Sequence, residues 1–140
     1  PFMESATLDL DFFDGQSIAL KIDTISKEEV LKQADFLTLH VPAQDGYVIG
    51  ASELETMKES AFIANAARGG VIDEVALLAA LDKGKLAGAA LAVFETEPKP
   101  AVQVLMHSKV SLTPHIGAAT GEAQDRIGGE LATQIITLLA

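Results

Sequence analysis

Three polar residues each follow a short apolar run, and their types suit a single reaction. Arg68 follows Ala61-Phe62-Ile63-Ala64-Asn65, Glu97 follows the run from Leu86 to Phe94, and His115 follows Val110-Ser111-Leu112-Thr113. A histidine beside a carboxylate has a raised pKa and can give or take a proton near neutral pH. A guanidinium offers a planar fork to a carboxylate or phosphate, and in holding it keeps a reacting carbon in register. The trio therefore suits proton transfer to the oxygen of a 2-oxo acid while a hydride arrives from elsewhere. Taken singly, each residue also fits a plainer role: Arg68 on a surface turn, Glu97 in a solvated loop, His115 in a capped one.

The elements around them decide whether the three can meet. Arg68 lies in Asn65-Ala66-Ala67-Arg68-Gly69-Gly70-Val71-Ile72-Asp73, where an apolar run, a Gly-Gly turn and a helix start come together. Both glycines are expected to give the backbone positive φ and let it approach a ligand. Asp73 caps a helix over Glu74–Lys83 that Gly84 ends. Upstream, Ser26-Lys27-Glu28-Glu29 is a capping box opening a short helix, and Asp35 to Val41 is a buried strand stopped by Pro42. A second box at Ser52-Glu53-Leu54-Glu55 starts a helix to about Lys58, and Ala61 to Asn65 is the next strand. Leu86 to Phe94 reads as a third strand, whose Gly88, Ala89, Ala90 and Ala92 would let a helix or ligand lie close. Val102–Met106 is a brief helix, and Val110–Thr113 is a strand stopped by Pro114. Thr120 caps a closing helix with Ile127, Leu131 and Ile135 as its apolar stripe. Gly128-Gly129 inside it costs about 1 kcal/mol each relative to alanine, with close packing as the one available reason. Residues 1–24 read weakly: Leu8 to Phe13 alternates, Asp14-Gly15 signals a turn, and Ser17 to Ile22 suits a short strand. Helix and strand in alternation predict an α/β fold with a parallel sheet and right-handed crossovers. Ligands of such sheets bind at the carboxyl ends of the strands, where Arg68, Glu97 and His115 all fall.

Length and charge narrow the function classes. The 140 residues suit one domain. Twenty acidic against ten basic residues, a net charge of −10, leave no basic face for nucleic acid or an anionic membrane. Without cysteine there is neither a disulfide framework nor thiolate chemistry. No signal peptide or bilayer-length apolar run is present, so a cytoplasmic protein is expected. His40 ends a strand and His107 sits in a loop, and no residues have the spacing of a metal site.

Three stretches carry a resemblance: Asn65 to Asp73, Gly88 to Pro98 (Gly-Ala-Ala-Leu-Ala-Val-Phe-Glu-Thr-Glu-Pro) and Thr113 to Thr120 (Thr-Pro-His-Ile-Gly-Ala-Ala-Thr). In order and spacing, from about Ile25 to Ala140, they resemble the signatures of the D-isomer-specific 2-hydroxyacid dehydrogenases, nearest to the short D-3-phosphoglycerate branch. Leu39-His40-Val41-Pro42 adds to the likeness. The resemblance implies a Rossmann-type NAD-binding domain over residues 1–120 and a closing helix, 121–140, that returns to the substrate domain. It implies that Arg68 binds the substrate carboxylate, His115 exchanges the proton with the 2-oxygen, and Glu97 holds His115. Ala66, Ala67, Arg68, Ala92, His115, Ile116, Gly117 and Ala118 fall where the family contacts the nicotinamide half of NAD, and Val41 and Pro42 where it lines the adenosine side. A small anionic 2-hydroxy or 2-oxo acid, 3-phosphoglycerate in serine biosynthesis, is the implied substrate, and a homodimer the implied full-length state.

Two departures run against an intact enzyme. No G-x-G-x-x-G occurs, and Pro1-Phe2 resembles the point just after the family's ribose-binding acid, so the chain is expected to be a C-terminal half, incomplete and inactive alone. Ala92 stands where the family has an aspartate that accepts from the nicotinamide amide. The alternative is a truncated, non-catalytic α/β binding or oligomerisation module, whose exposed sheet edges need a partner.

Overall fold

The computed structural model describes residues 4–139; the Pro1-Phe2 resemblance lies outside them. Two strands, β1 (Ser5–Asp11) and β2 (Ser17–Asp23), pair antiparallel with Leu8 opposite Leu20 and Leu10 opposite Ile18. The Asp14-Gly15 turn closes them: Gly15 takes φ +82°, and the Gln16 N–H donates to Asp14 Oδ1 at 3.1 Å. This exposed hairpin is a two-stranded sheet of its own, which the expectation of one parallel sheet did not include. A tight turn between alternating runs favours local pairing over a crossover.

The parallel sheet follows. It runs β3 (Phe36–Leu39), β4 (Phe62–Asn65), β5 (Gly88–Leu91), β6 (Val110–Leu112), in chain order and all parallel. The helices α1 (Lys27–Gln33), α2 (Ala51–Thr56), α3 (Glu74–Asp82) and α4 (Val102–Met106) pack side by side, α1 on α2, α2 on α3 and α3 on α4. Successive right-handed crossovers in one direction put every helix on the same face. The core lies beneath them, built on Leu39, Ile63 and Leu91 from the sheet and Leu54, Leu77 and Leu81 from the helices.

The caps act as local chemistry dictates, with one shift. Ser26 and Glu29 form the expected reciprocal box. In α2 the box starts two residues earlier than expected, at Gly50, whose N–H donates to Glu53 Oε2 at 3.1 Å. Ser52 lies inside the helix and donates to the same oxygen. Those bonds, with Lys27 at 2.9 Å, hold the Glu53 carboxyl down at about 2. Asp73 accepts from the Ala76 N–H at 2.9 Å, as an N-cap should. We expect Asp73→Ala to cost about 1 kcal/mol, read as a lower urea midpoint at unchanged slope.

The opposite sheet face is open. Phe36 and Phe62, 79% and 45% exposed, stack there at 5.5 Å between centroids, beside Thr38, Ala64, Ala90 and Ser111. The space left by Gly88 is taken by the Phe62 ring, 2.9 Å from where a Cβ would sit. The closing helix α5 (Gly121–Leu139) is capped by Thr120, whose Oγ1 accepts from the Ala123 N–H at 3.2 Å. Its stripe of Ile127, Leu131 and Ile135 is exposed, and among the described residues nothing lies within 4 Å of where a Cβ would stand on Gly128 or Gly129, so close packing among them does not account for that pair. Among the described residues no helix is long and apolar enough to cross a membrane.

Candidate functional site

Because the four strands are parallel and in register, their carboxyl ends share one edge. Leu39 leads into His40-Val41-Pro42, Asn65 into Ala66-Ala67-Arg68, Leu91 into the loop with Glu97, and Leu112 into Thr113-Pro114-His115. The candidate residues assemble there around two neighbouring cavities. One, of about 480 Å³, is lined by Ala66, Arg68, Ala92, Val93 and Thr113 to Ala118. The other, of about 310 Å³, is lined by His40, Val41, Pro42, Ala66, Ala67 and Arg68. Glu97 lines a third cavity, which shares His115 with the first.

His115 and Glu97 are in hydrogen-bond contact. His115 Nδ1 lies 2.9 Å from Glu97 Oε2 and 3.2 Å from Oε1, with both side chains partly exposed. Glu97 Oε1 also accepts from the Phe94 N–H at 3.0 Å. The hydrogen bond from His115, then that from Phe94, with Arg68 contributing charge, hold the Glu97 carboxyl below its ordinary 4.5. A carboxylate so held is ionised through the neutral range. Its contribution to folding is present above the ordinary carboxylate range and is lost as the pH falls through the lowered value.

Arg68 is placed by its own turn. Asn65, 3% exposed, accepts from the Ala67 N–H at 3.1 Å and donates from Nδ2 to the Arg68 carbonyl at 2.9 Å. One guanidinium nitrogen donates to the Ala67 carbonyl at 2.8 Å, and among the described residues Arg68 makes no ion pair. Its remaining donors are left to the cavity that His115 also lines, an arrangement that suits an anion held next to a proton donor.

The two glycines after Arg68 divide the work that both were expected to share. Gly70 takes φ +77°, as a tight turn requires. Gly69 does not take positive φ; a Cβ there would stand 1.8 Å from the Phe94 carbonyl oxygen, so its close approach is to backbone and not to ligand.

Sequence reasoning missed a further pair. Glu74, buried at 7% exposure, accepts from the Glu95 N–H at 2.7 Å, and Glu95 accepts from the Glu74 N–H at 2.8 Å. Burial pushes the Glu74 carboxyl above its ordinary 4.5; the Glu95 N–H lowers it in part, and the charge of Glu95 raises it. The sequence signal was modest: a glutamate just after a capping aspartate, and one ending an apolar run. His107, read as a loop residue, caps the end of α4 and contacts Asp82 at 3.2 Å, far from this edge in the chain's topology.

Nicotinamide-cofactor binding can be tested against these cavities. The larger has small or apolar walls at Ala66, Ala92, Val93, Ile116, Gly117 and Ala118, with Arg68 and His115 as its charged or titratable members. A flat, weakly polar ring fits such a lining. The Ala92 methyl supplies no acceptor, and the Ala92 backbone N–H is already given to the Asn65 carbonyl at 2.9 Å.

Comparison with known proteins identifies the family of this fold. The family model described as D-isomer specific 2-hydroxyacid dehydrogenase, NAD binding domain, matches residues 13–117. The D-3-phosphoglycerate dehydrogenase of Methanocaldococcus jannaschii is 48% identical over 113 residues, covering 79% of this chain and 22% of that protein. That of Bacillus subtilis is 39% identical over 130 residues, covering 90% and 25%. Among solved structures, a glyoxylate reductase from Paecilomyes thermophila superposes with a TM-score of 0.70 at 39% identity, over 74% of this chain and 32% of that one. The NADPH-dependent glyoxylate/hydroxypyruvate reductase of Sinorhizobium meliloti gives 0.65 at 34% identity, over 70% and 31%. The chain thus spans about a quarter of the length of these curated relatives.

Proposed function

The chain belongs to the D-isomer-specific 2-hydroxyacid dehydrogenases, and from that premise we propose that it supplies the acid–base and anion-binding part of an NAD-dependent oxidoreductase acting on a D-2-hydroxy acid. The observation that carries this reading is the 2.9 Å contact between His115 and Glu97, beside a cavity that Arg68 shares. Arg68 holds the substrate carboxylate by its free donors. His115 gives a proton to the 2-oxygen in reduction and takes it back in oxidation, and Glu97 keeps the imidazole oriented. Bound NAD supplies the hydride. Ala66, Ala67, Ala92 and Ile116 to Ala118 would hold the nicotinamide half, and Val41 and Pro42 the adenosine side.

As substrate we assign 3-phosphoglycerate, the compound named in the curated relatives at 39–48% identity. We further assign the protein to serine biosynthesis, to the cytoplasm, and to a homodimer in its full-length form. Residues 1–120 act as the second half of the NAD-binding domain, and 121–140 as the helix leading back to a substrate domain. The exposed stripe of α5 is consistent with that use.

A second reading, a non-catalytic binding or oligomerisation module, is favoured by the open sheet face at Phe36 and Phe62 and by Ala92. NADH fluorescence separates the two. The 140-residue chain is expected to bind NADH weakly, because no glycine-rich loop contributes backbone donors to the pyrophosphate. Ala92→Asp is expected to tighten that binding by about 2- to 10-fold through one added acceptor. No NADH response in either protein, together with self-association by light scattering, would select the module.

A further inference from the structure

The geometry around the Arg68 turn points to a positioning device that the reaction itself does not use. We infer that Glu74 and Glu95 act as a reciprocal backbone clamp that fixes the register of the Arg68 turn against the Glu97 loop. This rests on reading Arg68, Glu97 and His115 as one site.

Parallel pairing aligns β4 with β5 only as far as Asn65 opposite Leu91. Beyond those residues the two loops leave the sheet, and ladder hydrogen bonds no longer hold them together. Arg68 and Glu97 both lie in this unladdered region. Glu74 opens α3 directly after the Arg68 turn, and Glu95 lies two residues before Glu97. Each side chain accepts the other's backbone N–H, at 2.7 and 2.8 Å, across 21 residues of sequence. The two bonds imitate one rung of a ladder where the ladder has ended.

Neighbouring contacts pass this register on to the functional groups. Gly69 lies against the Phe94 carbonyl, so turn and loop touch along the backbone. The Phe94 N–H, one residue from the clamp, donates to Glu97 Oε1, and Glu97 in turn holds His115. Loss of either bond would free Glu95 and the Phe94 amide together, and Glu97 would lose a partner that lowers its pKa. Burying the Glu74 carboxylate at 7% exposure is an expensive way to hold a loop if holding it were all that mattered. What a carboxylate offers here is an acceptor of the right length on each side, and a glutamine offers the same.

The test reads the Glu97 carboxyl by carbon-13 NMR titration in the 140-residue chain. Because E74Q keeps the acceptor, it is expected to leave the Glu97 midpoint within about 0.2 units of wild type. E74A removes the acceptor and is expected to raise that midpoint by about 0.5 units or more, towards the ordinary value. A folded E74A protein with the wild-type midpoint would overturn the clamp, as would an E74Q protein shifted as far as E74A. Amide hydrogen exchange of wild type covers the case in which E74A does not fold. There the Glu74 and Glu95 amides are expected to exchange slowly and at a common rate, and free exchange at either one overturns the inference. Turnover enters neither measurement, so a failed dehydrogenase assignment and a failed clamp give different results.

Discussion

Replacement of Gly69 by alanine is expected to destabilise the chain by about 3 kcal/mol or more, lowering the thermal midpoint by about 10 °C. The added Cβ would stand 1.8 Å from the Phe94 carbonyl oxygen, 2.5 Å from its carbon and 3.1 Å from the Glu95 nitrogen. All three are backbone atoms, so no rotamer change relieves the overlap. Either the Arg68 turn or the Glu97 loop must move, and the reciprocal bonds between Glu74 and Glu95 oppose both. The neighbouring position provides the control. A Cβ on Gly70 meets nothing within 4 Å, but its φ of +77° remains unfavourable to a side chain. Gly70→Ala should therefore cost only about 1–2 kcal/mol. Thermal and urea unfolding followed by circular dichroism would check both. A Gly69→Ala protein melting within about 2 °C of wild type would mean that the turn and loop are not in contact as described.

Removal of His115 should have the largest effect on activity. In a polypeptide that joins these residues to a glycine-rich half, His115→Ala is expected to lower kcat for 2-oxo acid reduction by about a hundredfold or more, the usual worth of a positioned general acid. NADH absorbance would follow the reaction. The imidazole has a carboxylate at 2.9 Å on Nδ1, so Nε2 is the nitrogen we assign to the proton exchange. Glu97→Gln keeps a hydrogen-bond partner and loses the charge, so its loss should be smaller than that of His115→Ala. Since Glu97 is held below its ordinary 4.5, its protonation does not shape the rate near neutral pH. Near-normal turnover of His115→Ala would remove the proton-transfer role proposed for this residue.

Several features of this protein follow from short-range chemistry, and the residues already contained them. The Ser26–Glu29 box, the Asp73 cap, the Thr120 cap and the Asp14-Gly15 turn each depend on atoms a few residues apart. Apolar runs ended by Pro42 and Pro114 located β3 and β6. The α2 box was displaced by two residues because glycine can serve as an N-cap through its backbone alone, without a side chain to announce it.

Other features depended on strand register, which spacing along the chain does not encode. Arg68, Glu97 and His115 were legible as three strand-end residues, yet the 2.9 Å contact between the last two, 18 residues apart, exists because β5 and β6 lie side by side in parallel. The Glu74–Glu95 pair spans 21 residues and carries no motif that marks it. Gly69 and Gly70 look alike as a dipeptide. Tertiary packing alone made one a turn residue and the other a point of backbone contact. The apolar stripes of α5 and the hairpin show the converse, since periodicity formed the elements while their faces stay exposed among the described residues. Caps, turns and alternation are settled by neighbours along the chain, whereas the site and its supports required distant backbone segments to meet, and that meeting is decided by the packing of the whole sheet.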